Sequence, residues 1–243
     1  MKRETTNLIR WFLEDVVPPI LRDSFLFKAF ASLAWGEHIA ALASFRARAP
    51  YLSEQEYENL YRKHPRVHEG TDNSEACIAE IIEDVIGESV CDAGCGTGVL
   101  LKSIRTARPQ VKRLVGVDFA VDDAQALSGI EYEAAKIEAL PFRDQEFDTV
   151  ICTHVIEHLL DYRAAIAELR RICRKRLIVV VPREREYLYT FNPHFNFFPY
   201  VHSFLRAMHP VPKIHICKDI KRDIYYREDL DGGVIPAGPE ATK

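Results

Sequence analysis

The sequence lacks the features that mark several common classes of protein. It has no basic excess: 32 Lys and Arg stand against 36 Asp and Glu, a formal charge of -4. No global positive field therefore draws it to nucleic acid, which excludes DNA as a partner and disfavours RNA. The six cysteines, Cys77, Cys91, Cys95, Cys152, Cys173 and Cys217, show neither the close pairing of a zinc site nor the density of a disulfide scaffold. A reducing cytoplasm is the expected compartment, with Cys91 and Cys95 as small buried side chains. The apolar run FLFKAFASLAW contains Lys28 and stops at Gly36 and Glu37, short of the roughly 20 residues that a bilayer requires. No leader peptide and no internal repeat are recognisable.

What is present is enough chain for one sizeable α/β domain with appendages. Residues 1–73 lack strand signals and read as helices separated by Pro18, Pro19 and Pro50. In LIRWFLEDVV, Leu8, Phe12 and Val16 share a face, and in SEQEYENLYRK, Ser53 with Glu56 forms a capping box. This extension is expected to be a cap on the core, a lid over a site, or a membrane-surface face using Trp11, Phe25, Phe27, Phe30 and Trp35. Peripheral membrane contact stays open on that count, and the oligomeric state is not specified.

From residue 74 the pattern alternates. Ser74 or Asn73 caps a helix carrying Cys77, Ile78, Ile81, Ile82 and Val85, and strands follow at SVCDAG, RLVGVD, IEYEAA, FDTVICTH and RLIVVVP. Strands separated by helix-sized segments imply a parallel sheet with crossover helices. Tyr162, Ile166, Leu169 and Cys173 make one apolar helical stripe, while Arg163, Arg170, Arg171 and Arg174 read as a solvated face. Two last strands, IHICKDI and DIYYRED, are joined so tightly at Lys221 and Arg222 that they must pair antiparallel. Residues 231–243 read as a disordered tail.

The stretch VCDAGCGTGVL places Gly94, Gly96 and Gly98 directly after a buried strand. Such a loop lets backbone approach a ligand and aims helix N–H groups at it. The dinucleotide fingerprint needs glycine where Val99 stands, and a phosphate loop needs a Lys-Ser or Lys-Thr pair that is absent. Asp92, just before the loop, suits a cationic ligand or an amino group better than pyrophosphate.

These residues resemble the first motif of the class I S-adenosylmethionine-dependent methyltransferases, especially the ubiquinone-biosynthesis and small-molecule branch. The resemblance continues at GVDFA and at IEALPFRDQEFDTVICTHVIEHL and covers about residues 74–182. It implies a Rossmann-like α/β fold, a seven-stranded mostly parallel sheet with one antiparallel strand, for a methyltransferase domain spanning residues 74–230. It also implies S-adenosyl-L-methionine as cofactor. Gly94, Cys95, Gly96 and Gly98 would pass close to its methionine part, with Asp92 at the ammonium and Thr153 at the end of the fourth strand. Asp118 would hold the ribose hydroxyls. Phe119 would cover one adenine face, and Ile137 and Glu138 would line the other side. The family often has Asp where Lys136 stands, and lysine cannot accept a hydrogen bond from the adenine amino group.

Methyl transfer needs alignment, and a base where the acceptor is a hydroxyl. His154 and His158 follow the fourth strand, whose C-terminal end faces the crevice in such sheets, and would share a face if a helix begins there. His158 is the first candidate base and His154 the second. Together with Glu157 they have a spacing similar to metal-dependent members of the superfamily, including small-RNA 3'-end methyltransferases. No matching histidine follows, so no metal is expected. The aromatic segment TFNPHFNFFPYVHSF, where this family usually builds its acceptor pocket, offers His194, Phe198 and Tyr200 for substrate contact, with Phe191 beside them. The expected acceptor is a small molecule or a glycosyl group, methylated at oxygen. The alternatives are a cofactor-binding module without turnover and a macromolecule methyltransferase.

Overall fold

The Ser74 hydroxyl accepts a hydrogen bond from the Cys77 N–H and starts helix α2, Glu75–Asp84. This satisfies one of the backbone donors that a helix start leaves open. The structure is a computed structural model that describes residues 8–35, 46–53, 55–56, 70–119, 129–188 and 193–230. Before α2 lie a widened helical turn at Phe12–Val16, a short turn at Pro19–Arg22 and helix α1, Phe25–Trp35. After it come β1 (Ser89–Ala93), α3 (Val99–Ala107), β2 (Arg113–Asp118), β3 (Glu131–Ala134) and β4 (Phe147–Thr153). They are followed by α4 (Tyr162–Ile172), β5 (Cys173–Pro182), α5 (Val201–Ala207), β6 (His215–Ile220) and β7 (Asp223–Asp229).

The strands form one seven-stranded sheet in the order β3-β2-β1-β4-β5-β7-β6. β1 to β5 pair parallel, and β7 runs antiparallel between β5 and β6. The chain turns from β6 to β7 through Lys221 and Arg222, both at positive φ, the backbone that a two-residue hairpin turn demands. Every residue of β4 is buried, as a central strand covered on both faces should be. Alternate residues feed two cores. Cys91, Val115, Val150, Cys152 and Val179 pack with Ile166 and Leu169 of α4 and Phe204 of α5. Val90, Leu114, Ile151 and Ile178 pack on the other face with Ile81 of α2 and Leu101 and Ile104 of α3. The order reverses between β1 and β4, and the C-terminal ends of these two strands open the crevice where such sheets bind ligands.

Two expectations need correction. Cys173 belongs to β5, because α4 stops at Ile172; its burial is as the apolar stripe implies. Three of the arginines, Arg170 and Arg171 on α4 and Arg174 at the start of β5, are not merely solvated. Arg170 makes a bidentate pair with the fully buried Glu228 (2.7 and 2.7 Å), Arg171 binds Glu168 and Asp144, and Arg174 binds Asp148. Leu8, Phe12 and Val16, read above as sharing a face, are all exposed, whereas Leu13 and Glu14 are buried, Glu14 against Arg10 and Arg222. The Ser53–Glu56 capping box forms, while the rest of that segment, like residues 231–243, lies outside the described residues.

The N-terminal region is pinned by charge. Glu14 accepts from Arg222 Nη2 (2.9 Å), Arg10 Nη2 donates to Glu184 (2.7 Å), Asp15 accepts from Arg222 Nη1 (3.1 Å), and Asp23 accepts from the Leu188 N–H (2.7 Å). These contacts set it beside the segment that leaves β5.

Candidate active site

The Gly94 and Cys95 N–H groups both donate to the Val117 carbonyl (2.7 and 2.9 Å), which ties the loop after β1 to the end of β2. Gly94 (φ 87°) and Gly98 (φ 73°) hold left-handed backbone. A Cβ on Gly94 would collide with Val155, and one on Gly98 with the Tyr132 hydroxyl. Glycine is therefore required twice over, by φ and by space. The Gly96 N–H donates to Asp118 Oδ2 (2.8 Å), so the carboxylate at the end of β2 is oriented by the loop itself.

Asp92 is 1% exposed, and its Oδ1 has no hydrogen-bond partner among the described residues. Burial, and then the nearby Asp118 carboxylate, push its pKa up to about 7. A buried acid with an orphaned oxygen beside a backbone cradle is suited to a ligand that brings a positive charge and N–H donors. Ile137 is buried with its Cδ1 close to Gly94, and Glu138 is half-buried. Phe119 is half-buried at the end of β2, Lys136 is exposed, and Thr153 Oγ1 accepts from Asn73 Nδ2 (2.9 Å). The loop, Asp92, Asp118, Ile137 and Thr153 therefore converge on one end of the sheet.

His154 and His158 do not share a helix face. His154 has φ 55°, a separate tight turn spans Ile156–His158, and α4 starts only at Tyr162, where Asp161 caps it. The carbonyls of the tight turn are taken by the segment after β5. The Phe195 and Asn196 N–H groups donate to Glu157 O (2.7 and 3.1 Å), and Asn196 Nδ2 donates to Ile156 O and Leu159 O (2.9 and 2.7 Å). These bonds hold the turn open and keep it from joining α4.

His154 Nδ1 lies 3.6 Å from Glu157 Oε1, and its Nε2 lies 3.8 Å from Asp223 Oδ1. Burial works against its charged form, but Glu157 and Asp223 outweigh that and hold its pKa above the ordinary value. His158 has its Nδ1 3.2 Å from Pro193 O, and burial followed by the neighbouring His194 pushes its pKa down to about 4. The rings of His158 and His194 meet edge to face, 4.6 Å apart. His194 Nδ1 bonds to Glu184, whose other oxygen accepts from Arg10. His194, named above for substrate contact, thus lies against His158. Glu184, Tyr132 and Asp223 escaped the sequence reading, since none lies in a motif quoted there and each is brought to the site by a distant element; Asn73 was read only as a helix cap, and Val155, inside THVIEHL, was given no role.

The other expected substrate contacts divide. Phe198 is in the core, edge to face with Phe204 (5.0 Å). Tyr200 is 44% exposed and stacks on His202, with Arg185 over its ring. Phe191 lies outside the described residues.

Residues 91–181 match the methyltransferase domain family. A ubiquinone biosynthesis O-methyltransferase from Neisseria meningitidis is 31% identical over 102 residues, 38% of this chain and 40% of the relative. A tRNA U34 carboxymethyltransferase from Campylobacter curvus is 34% identical over 92 residues, 35% of this chain and 30% of the relative. The chain thus spans well under half the length of these curated relatives. Among solved structures, an S-adenosylmethionine-dependent methyltransferase from Thermotoga maritima, a possible histamine N-methyltransferase, superposes with TM-score 0.52 at 16% identity, covering 63% of this chain and 86% of its own. A Pyrococcus horikoshii protein gives TM-score 0.52 at 16% identity, covering 70% and 98%. At that identity the likeness is one of fold.

Proposed function

We propose that this chain, a member of the class I S-adenosylmethionine-dependent methyltransferases, moves a methyl group from S-adenosylmethionine to an oxygen of a small-molecule or glycosyl acceptor. One observation carries the reading. The buried Asp92, with its orphaned oxygen, stands beside a glycine loop that is tied to Asp118 at the switch point between β1 and β4. That arrangement fits the cofactor: Asp92 meets its ammonium, and the loop passes close to its methionine part. Asp118 keeps one bond to the Gly96 N–H and has acceptor capacity for the ribose hydroxyls. Phe119, Ile137 and Glu138 line the adenine, whose amino group Lys136 cannot accept.

When bound, S-adenosylmethionine supplies an electrophilic methyl on a sulfonium for in-line displacement. The chain's own part is to exclude water, align the acceptor and take its proton. His154 suits the last task by position, because Glu157 and Asp223 flank it and stabilise the imidazolium that forms when it takes a proton. His158 is a weaker base for the same reaction, being held neutral by burial and by His194. The N-terminal region, pinned to Glu184, Leu188 and Arg222, covers the acceptor side together with the segment around His194 and Tyr200. The net charge of -4 favours a small acceptor over a nucleic acid.

Calorimetric titration tests the cofactor: S-adenosylmethionine and its demethylated product bind, and nicotinamide dinucleotides do not. Asp118→Ala weakens that binding by about 1.5–3 kcal/mol, the range for a lost hydrogen bond to a charged group. Labelled S-adenosylmethionine offered with small organic, glycosyl and tRNA fractions then reads the acceptor. Label in tRNA alone overturns the acceptor class, and label in no fraction favours a binding module without turnover.

A further inference from the structure

We infer that Glu157, His158 and His194 form a binding site for a single divalent transition-metal ion of the borderline class, such as zinc, cobalt or nickel. One ligand atom from each lies within 4.8 Å of the others. Two histidines and a carboxylate are a donor set for these ions. A tetrahedral site with bonds near 2.1 Å has an edge of roughly 3.4 Å, so an ion draws the three side chains inward by about an ångström.

The surroundings are those of metal ligands. His158 donates its Nδ1–H to the Pro193 carbonyl (3.2 Å), and its Nε2 lies on the side of the cluster, 4.0 Å from Glu157 Oε1. His194 places Nδ1 on the Glu184 carboxylate, which likewise presents its Nε2 as the basic atom. A metal-bound imidazole almost always gives its other N–H to a carbonyl or carboxylate, as both rings do here. Arg10 holds Glu184 from behind at 2.7 Å, so the outer shell is itself anchored. The independent observation is Glu157. The residue is 1% exposed, Oε1 faces His154, and Oε2 is buried with no hydrogen-bond partner among the described residues. An ion on Oε2 satisfies that atom and offsets the cost of the buried charge.

Three protein ligands leave coordination positions for water or another oxygen, the pattern of a reactive site and not of a closed structural one. The cluster follows Val155, whose side chain abuts Gly94 of the glycine loop, so the ion lies close to that loop. The inference does not depend on the methyl-transfer reading. The fold brings His194, from the segment after β5, to Glu157 and His158.

The test uses the full chain stripped with chelator and titrated with Co²⁺, followed by visible absorption. One equivalent binds saturably, with a ligand-field band that Zn²⁺ displaces. His158→Ala and His194→Ala each weaken binding at least about a hundredfold, and Glu184→Gln, which keeps all three ligands, weakens it about 10- to 100-fold. His215→Ala, distant on β6, leaves it unchanged. Circular dichroism and thermal melting of each variant separate lost ligation from lost fold. Absence of saturable Co²⁺ binding to the folded wild-type chain overturns the site whatever the variants do, as does undiminished binding by the folded His158→Ala/His194→Ala double variant. Metal binding by a chain that binds no S-adenosylmethionine leaves this inference standing and removes the other.

Discussion

At the residue scale, Asp92 couples the site to pH. Its folded pKa of about 7 lies above the unfolded value of 3.8, so between those limits the native chain holds a proton that the unfolded chain has released. Stability of the ligand-free protein is therefore greatest below the window and falls as pH rises through it. A bound ammonium favours the ionised form, so cofactor binding at about pH 6.5 releases a proton. The apparent calorimetric enthalpy should then change between phosphate and Tris by the difference in buffer ionisation, and Asp92→Asn should abolish the difference. Equal enthalpies in both buffers would place the ammonium elsewhere. His154→Ala is expected to lower kcat by about a hundredfold with cofactor affinity nearly intact. A loss confined to KM would make His154 a binding residue.

At the scale of elements, the loop between β1 and α3 depends on what faces it. Gly98 is the left-handed entry to α3, and a side chain there meets the Tyr132 hydroxyl on β3. Gly98→Ala therefore suffers both the φ penalty, about 1–2 kcal/mol for a residue with a Cβ, and a collision. Denaturant unfolding should show Gly98→Ala/Tyr132→Phe recovering part of the lost stability and never all of it. Full recovery would mean that the backbone relaxes out of the left-handed region. β4 has a comparable dependency at its start, where Asp148 accepts from the Glu88 N–H and pairs with Arg174 and Lys175. A Cβ on Gly87 would strike that carboxylate, so the turn before β1 and the first residues of β4 are specified together.

At the scale of the molecule, the N-terminal region and the segment after β5 meet through Arg10, Glu184 and His194. Hydrogen exchange with the demethylated cofactor should slow in residues 8–35 and 193–208 relative to the free chain, whereas β4 and β5 are already protected. Exchange in both segments as slow as in β4, and indifferent to ligand, would make them static packing. Among the described residues no helix is long and apolar enough to cross a membrane. Trp11, Phe12 and Phe25 are nonetheless 46%, 52% and 75% exposed, so the apolar face of this region is not spent on the core.

The sequence by itself determined whatever is local or periodic. The alternation of apolar strands and amphipathic helices, the Ser74 cap, the tight turn at Lys221 and Arg222 and the glycine spacing are all legible within a few residues, because φ, capping and side-chain period act at that range. Family resemblance supplied the expected roles of Asp92 and Asp118 on top of that pattern. Tertiary structure alone decided the contacts between distant segments. Arg170 was indistinguishable from a surface arginine until β7 placed the buried Glu228 against it. Phe198 and Tyr200, neighbours in one aromatic run, were sorted into core and surface by the course of the chain before α5. His194 joined Glu157 and His158 because the Phe195 and Asn196 N–H groups found the Glu157 carbonyl of the turn after β4. A buried polar group must find its partner wherever the fold brings one, and no spacing along the chain encodes that distance.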